Sequence, residues 1–270
     1  MIVTFPIAIL VEIGLPIALA LWSVRREYTR WRWIGIGAVI FIAAQLLHVP
    51  FLYGLTALLG PTLTLMTVTW SIIVRAIILG LLAGIFEETA RWIGIRLLKN
   101  RARSWKTAFG LGIGHGGIES ILLVGIPVLI NFVYALSMRA TPGALGPLAS
   151  AQVNAFLNVS WDAPLMGAVE RVTTLIMQIT LTALVWAAIV ERKPVLFWGA
   201  VLWHAFFDAL AVALPQAGVS LWILEGILAL SIPVNGWLLL YFYRRHEDDE
   251  KNSLETVNTL GDVQSNAPSE

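Results

Sequence analysis

The chain has 270 residues, of which 58% are hydrophobic and only 13% are charged, and its mean hydropathy is +0.78. A soluble domain of this length needs far more charged residues, so the composition excludes that class and predicts a polytopic membrane protein. The net charge of +1 gives no indication of a nucleic-acid partner. Because there is no cysteine, disulfides and thiolate zinc sites are excluded, and any metal must be bound by histidines and carboxylates.

Seven segments are long and apolar enough to cross a bilayer, since a spanning helix needs about 20 mainly apolar residues. The fold class predicted is therefore all-α, a polytopic bundle of about seven transmembrane helices. The first segment lacks the basic region of a signal peptide and is expected to be a permanent span. The third segment is long, and we expect it to tilt, to extend into the cytoplasm, or to break near Gly80 and Gly84. The predicted spans are about 2–23, 33–54, 63–98, 107–135, 170–190, 195–214 and 220–243.

Positive charges occur in alternate loops. The loops after spans one, three, five and seven hold clusters of arginine and lysine, whereas the loops around 55–62 and 215–219 have no charge. The long loop 136–169 contains only Arg139 and Asp162, and it is expected to lie on the outer surface or to re-enter the membrane. The positive-inside rule then places the N-terminus outside and the C-terminus inside.

The chain is expected to form one transmembrane domain, residues 1–245. No internal repeat or second domain is visible. The tail 246–270 is acidic and then polar, so it buries too little apolar surface to fold and is expected to be a disordered cytoplasmic segment.

Ionisable residues inside three of the spans are the most informative feature of the sequence. A charge in hydrocarbon costs about 2.5–3.5 kcal/mol on insertion scales, so such residues usually face a cavity, pair with each other or act in function. In two of the three motifs a histidine precedes a carboxylate by four residues, which is one helical turn. The motifs are Glu87-Glu88 with Arg91, His115 with Glu119, and His204 with Asp208.

The three motifs are predicted to lie at one depth in the membrane. Each is separated by a similar number of residues from the cations at one end of its helix, which corresponds to about 14–17 Å at 1.5 Å per residue. We therefore expect them to converge on a single site that is reached from the inner leaflet. The separations are eleven residues from Glu88 to Lys99, nine from Lys106 to His115, and eleven from Lys193 to His204.

The chemistry that fits these residues is hydrolysis. A carboxylate takes a proton from water, while imidazoles, or a metal that they hold, stabilise the oxyanion. Two histidines with one or two carboxylates suit zinc with an open position for water. Arg91 can reach Glu87 or Glu88 along the helix and neutralise one of them. A purely structural polar network is the competing interpretation.

Other polar residues of the spans are interpreted as structural. His48 with Gln45 in span two is expected to form hydrogen bonds between helices. Glu170-Arg171 is expected to be a helix-start pair at the membrane interface. Glu12, in span one, has no assigned role.

At the three motifs the sequence resembles the glutamate and metal-type intramembrane proteases, which include the type II CaaX prenyl proteases and the PrsW proteases. It is identified as a member of the YhfC family of intramembrane metalloproteases, through Glu-Glu-x-x-Arg, Gly-x-Gly-His-Gly-Gly-x-Glu and His-x-x-x-Asp. The resemblance implies that Glu87 or Glu88 is the general base, with Arg91 and Asp208 among the catalytic residues. It also implies a Zn²⁺ site. The expected metal ligands are His115, Glu119 and His204.

The motifs combine the patterns of two groups in that superfamily. Arg91 comes one residue earlier than in the CaaX pattern and matches the position of lysine in PrsW. Leu111 occupies the position of the CaaX phenylalanine four residues before the histidine, while Glu119 matches the glutamate of the PrsW motif.

The function expected from the sequence is an intramembrane endopeptidase that cleaves a membrane-associated peptide or protein, in a prokaryotic-type cell membrane. A proton- or cation-coupled transporter that uses the same groups is one alternative. A non-catalytic scaffold derived from a protease is another. Either Glu87 or Glu88 can serve as the base.

Overall fold

The computed structural model describes residues 3–140, 151, 153–156 and 158–246. Seven helices in this part of the chain are long and apolar enough to cross a membrane, which confirms the all-α fold and the predicted number of spans. We number them α1 Thr4–Arg25, α2 Trp31–Thr64, α3 Val68–Leu97, α4 Trp105–Met138, α5 Ala163–Val190, α6 Pro194–Gln216 and α7 Leu221–His246.

Helix α5 lies at the centre of the bundle. Its most apolar 18-residue window is 78% buried, against 17–28% for the corresponding windows of the other six helices. A helix that is apolar on all sides is typical of such a position. Near its C-terminal end the fully buried Trp186 donates a hydrogen bond from Nε1 to the main-chain oxygen of Ala102, at 2.6 Å. The other helices are thus arranged around α5, whose polar residues face inward.

Helices α3 and α6 approach each other closely at two glycines. A Cβ atom on Gly80 would lie 2.3 Å from the main-chain oxygen of Ala205, and one on Gly84 would lie 2.6 Å from that of Val201. Small residues permit this approach between membrane helices. Helix α3 is continuous from Val68 to Leu97, so these glycines serve packing and do not break the helix.

Helices α2 and α4 pack in the same way. A Cβ atom on Gly37 would lie 2.1 Å from the main-chain oxygen of Leu111, and one on Gly114 would lie 1.9 Å from that of Ile34. Because Gly114 immediately precedes His115, this contact fixes the second ionisable motif against α2.

Each of helices α1 and α4 contains one wide, π-helical turn, at Leu10–Gly14 and at Ser120–Gly125. The two turns meet, and the hydroxyl of Ser120 donates to the main-chain oxygen of Glu12 at 2.7 Å. The hydroxyl of Ser120 is therefore used in packing between helices. Turns of this kind are rare and often lie beside functional sites.

The chain between α4 and α5 is shorter than the sequence indicated. Helix α4 continues to Met138 and helix α5 begins at Ala163, so both ends of the predicted loop 136–169 are helical. Half of the remaining segment 139–162 lies outside the described residues, as does the tail beyond His246, and the predictions for them stay untested.

The C-terminal ends of α5 and α7 are joined by ionic contacts. Glu191 lies 3.2 Å from Arg245 and 3.3 Å from His246. Burial alone would raise the pKa of the Glu191 carboxyl, but the charges of Lys193 and Arg245 outweigh this and hold the pKa below its usual value. The two helices therefore end at the same side of the bundle, as the alternation of the loop charges requires.

Candidate metal centre and active site

The three ionisable motifs meet inside the bundle. The Nε2 atom of His115 lies 3.0 Å from Oε2 of Glu87, and the Nδ1 atom of His204 lies 2.7 Å from Oε1 of Glu88. All four side chains are buried, with Glu88 completely inaccessible. Helices α3, α4 and α6 thus place two carboxylates and two imidazoles in direct contact.

Both carboxylate oxygens of Glu87 are occupied. Gln45 of α2 donates to Oε1 at 3.0 Å, while His115 contacts Oε2. Gln45 thus forms the predicted hydrogen bond between helices, whereas for His48 no such bond is present among the described residues. His48 packs against the ring of Phe86 instead, with 5.3 Å between the ring centroids.

Glu88 has one engaged oxygen and one free oxygen. Arg91 forms a close ion pair with Oε1, which also contacts His204. The Oε2 atom is buried and has no hydrogen-bond partner among the described residues. Arg91 also lies 3.7 Å from Oε2 of Glu87, so this single cation offsets charge on both glutamates.

His204 directs both ring nitrogens at carboxylates. Its Nδ1 atom contacts Glu88, and its Nε2 atom lies 3.6 Å from Oδ2 of Asp208. The side chain of Asp208 is 35% exposed, whereas His204 is buried. The accessible edge of the cluster is thus at Asp208, in the C-terminal half of α6, away from Lys193. The expected access from the inner leaflet stays a prediction.

Glu119 is held by two residues of α5. Gln178 donates to its Oε2 atom, and Arg171 donates to its Oε1 atom at 3.2 Å. Gln178 also accepts a hydrogen bond from Arg91, so it connects the first motif with the second. Gln178 was not identified from the sequence, because a neutral amide within an apolar span is less conspicuous than a charged residue.

Arg171 lies well inside the bundle. Helix α5 begins at Ala163, eight residues earlier, and Arg171 is paired with both Glu170 and Glu119. Interpretation of Glu170-Arg171 as a helix-start pair at the interface was therefore wrong. The charge of Arg171 was visible in the sequence, and an earlier start for α5 would have placed it within the span.

A compact set of metal-binding groups lies within this cluster. Ligand atoms of Glu87, His115 and Glu119 all lie within 4.8 Å of one another, and all three residues are buried. The Nδ1 atom of His115 is buried without a hydrogen-bond partner in the described part of the chain. Imidazole and carboxylate donors suit zinc and related divalent ions. These residues therefore fit a metal; His204, which contacts Glu88, is not in this set.

A small polar cavity adjoins the cluster. Its volume is about 50 Å³, and a water molecule requires roughly 10–15 Å³ measured in this way. Glu119, Arg171, Asp208 and Ser231 contribute to its wall. The cavity therefore has room for a few water molecules beside two of the carboxylates.

Replacement of Gln178 by leucine is expected to weaken the cluster, because Arg91 and Glu119 would each lose a buried partner. Each unsatisfied group costs about 1–3 kcal/mol, and loss of an outer hydrogen bond to a metal ligand typically lowers metal affinity by roughly 10–100-fold. Thermal unfolding in detergent and metal titration measure these effects. Gln216→Leu is the matched control, since Gln216 is exposed and bonds only to a main-chain oxygen; equal effects of the two changes would contradict the role of Gln178.

Residues 7–228 match the family described as YhfC intramembrane metalloprotease. The chain belongs to the YhfC family. It is also 31% identical over 221 residues to the uncharacterized membrane protein YhfC of Bacillus subtilis (strain 168), an alignment that covers 76% of this chain and 81% of that protein. No solved structure matches the chain. The predicted family is confirmed, and all residues of the cluster fall within the part that matches YhfC. The apolar helices and the membrane-protein relative identify an integral membrane protein.

Proposed function

We propose that this YhfC-family protein is an intramembrane metallopeptidase that hydrolyses a peptide bond in a membrane-associated substrate. The observation that carries the proposal is that two adjacent buried carboxylates have different surroundings. Glu88 has one oxygen held by cationic and imidazole groups and one oxygen free. Beside it, Glu87 belongs to the compact Glu–His–Glu set.

The charge of the cluster favours a divalent cation. Five carboxylates face two guanidinium groups, which leaves three negative charges when all of these groups are ionised. Uncompensated charge is costly within a membrane, so a divalent ion would offset two of the three. The carboxylates are Glu87, Glu88, Glu119, Glu170 and Asp208, and the guanidinium groups are those of Arg91 and Arg171.

Glu87, His115 and Glu119 would hold the metal, which we take to be Zn²⁺. When bound, such an ion supplies Lewis-acid chemistry that polarises a carbonyl oxygen and acidifies water. Gln45 fixes Glu87 from α2, and Gln178 with Arg171 fixes Glu119 from α5. Fixed outer partners of this kind orient metal ligands.

Glu88 acts as the general base in this scheme. Its free Oε2 atom takes a proton from the attacking water, while Arg91 and His204 hold the other oxygen in place. The protonated carboxyl then returns this proton to the nitrogen of the departing amine, as a general acid. The polar cavity beside Asp208 offers the water a place next to the cluster.

His204 and Asp208 are assigned to positioning in this proposal. Asp208 faces Nε2 of His204, and the Nδ1 atom of the same ring contacts Glu88. This arrangement orients the base. His204 is therefore assigned to positioning Glu88, and not to the metal-ligand role that the resemblance implied.

The loop charges support an orientation with the N-terminus outside and the C-terminus inside. In that orientation, the edge of the cluster at Asp208 lies in the half of α6 nearer the outer surface.

The experiment that tests the proposed function joins metal analysis with cleavage. We expect purified protein in proteoliposomes to contain about one zinc ion per chain and to cleave transmembrane model peptides until a chelator removes the metal. His115→Ala is expected to lower metal affinity by more than about 100-fold, because it removes a ligand and not an outer partner. His246→Ala, at the end of α7, is the control.

Two results would overturn the proposal. One is full metal content and cleavage in His115→Ala. The other is ion flux through the proteoliposomes that depends on His115 and His204 without any peptide cleavage, which would indicate a transporter.

A further inference from the structure

His48 is a buried histidine that the scheme above does not use. It lies on α2, is 8% exposed, and neither of its ring nitrogens has a hydrogen-bond partner among the described residues. Buried polar groups in proteins are nearly always hydrogen-bonded. An imidazole with both nitrogens unpaired therefore indicates a partner that lies outside the described residues.

The position of His48 is next to the reactive groups. It follows Gln45, which donates to Glu87, by three residues, and its ring lies nearly parallel to that of Phe86, at an angle of 20°. Phe86 directly precedes Glu87. Because residues three apart lie on the same side of a helix, His48 faces the same side of α2 as Gln45, which contacts Glu87.

His48 differs from the two histidines of the motifs. His115 and His204 each contact a glutamate, whereas His48 contacts an aromatic ring. It also lies outside the set formed by Glu87, His115 and Glu119. His48 is therefore suited neither to holding the base nor to completing that ligand set, and it keeps a free N–H donor.

The part of α2 that follows His48 is not buried in the bundle. Between Val49 and Thr62 that helix has no buried side chain, and Pro50 interrupts its main-chain hydrogen bonding. Phe86 also lines an apolar groove of about 500 Å³ between α2 and α3. His48 itself does not line this groove, so its contact with a segment that enters along the groove requires a displacement of α2.

We propose that His48 binds the substrate itself, by donating a hydrogen bond to the carbonyl oxygen of the peptide bond that is cleaved. The inference rests on the proposed peptidase function. Water adds to the carbonyl carbon, the carbonyl electron pair moves to the oxygen, and the N–H of His48 stabilises the negative charge that develops there. When this electron pair re-forms the carbonyl double bond, the carbon–nitrogen bond breaks, and the nitrogen takes the proton held by Glu88.

The test compares His48→Ala, His48→Phe and His48→Gln in proteoliposomes. Loss of an oxyanion donor typically lowers kcat by about 10²–10³-fold. We expect this loss in the alanine and phenylalanine variants, with a smaller change in KM and with zinc content unchanged. Because phenylalanine keeps the stacking on Phe86, its Tm should stay near that of the wild type. Glutamine retains an N–H donor and should recover part of the rate.

Binding of a non-cleavable peptide provides a readout that does not require turnover. A phosphonamidate peptide resembles the tetrahedral intermediate, and we expect His48→Phe to weaken its binding by about the same factor as kcat. Binding of the matching amide peptide to an inactive Glu88→Gln background should change little. Equal binding of the phosphonamidate by wild type and His48→Phe, with equal cleavage, would show that His48 is only a packing residue.

Failure of this inference is distinguishable from failure of the proposed function. If the wild type cleaves peptides and His48→Phe matches it, only the role of His48 falls. If the wild type neither cleaves peptides nor binds the phosphonamidate, the peptidase proposal falls and the role of His48 falls with it.

The chain contains no cysteine, so His48→Cys introduces a single thiol at this position. We expect a small methanethiosulfonate reagent to label it, and the phosphonamidate peptide to protect it. A thiol that is never labelled, or that is labelled equally with the peptide bound, would contradict contact between residue 48 and the substrate.

Discussion

Glu88→Gln is expected to abolish peptide cleavage while the helical bundle stays folded and keeps its metal. The amide cannot accept a proton from water, and general acid–base catalysis by one positioned group contributes about 10²–10⁴-fold to a rate. Glutamine keeps the volume of the side chain, and its oxygen can still accept from Arg91 and His204. The scheme therefore predicts a large loss in kcat without loss of the metal ligands.

Glu87→Gln provides the sharpest comparison, because the two glutamates are adjacent and both are buried. We expect this change to reduce metal affinity as well as activity, since Glu87 belongs to the compact ligand set. Cleavage assays and zinc analysis on both variants separate the two roles. Glu191→Gln, at the end of α5, is the control for an amide substitution. Loss of zinc in Glu88→Gln with retention in Glu87→Gln would reverse the assignment.

Gly37→Ala is expected to destabilise the protein and to displace the second motif. The added Cβ would lie 2.1 Å from the main-chain oxygen of Leu111, and a main-chain atom cannot move aside without moving α4. Overpacking of this kind typically costs about 1–3 kcal/mol, and occasionally more. Because His115 follows Leu111 by one helical turn, a shift of α4 would also separate it from Glu87.

The matched control is Gly35→Ala on the same helix, where an added Cβ meets nothing within 4 Å. Thermal unfolding in detergent and metal titration should show a lower Tm and weaker metal binding for Gly37→Ala only. Gly114→Ala, whose Cβ would lie 1.9 Å from the main-chain oxygen of Ile34, should behave like Gly37→Ala. Similar stability of Gly35→Ala and Gly37→Ala would show that the α2–α4 contact is adaptable.

The arrangement of the cluster explains how a membrane protein tolerates so many ionisable groups in its spans. Arg91 neutralises Glu88 and lies close to Glu87, while Arg171 pairs with Glu119. Gln178 joins the two halves through hydrogen bonds. The same contacts that offset the cost of burial also hold the proposed base and ligands in fixed positions, so stability and proposed function depend on one network.

The sequence by itself determined the class of protein, the seven spans and the three ionisable motifs. These are local properties, because hydropathy over about 20 residues identifies a span and a separation of four residues places two side chains on one face of a helix. The loop charges also placed Glu88, His115 and His204 at one level. The contacts of His115 with Glu87 and of His204 with Glu88 agree with that expectation.

Only the tertiary structure decided which groups complete the cluster. Gln45, Gln178 and Arg171 enter it through the rotation and close packing of α2 and α5, which hydropathy does not specify. Among the described residues, one oxygen of Glu88 has no hydrogen-bond partner, whereas both oxygens of Glu87 have one. Such differences depend on which partners adjacent helices bring to each atom. Two neighbouring glutamates that are equivalent in the sequence are therefore distinct in the folded protein.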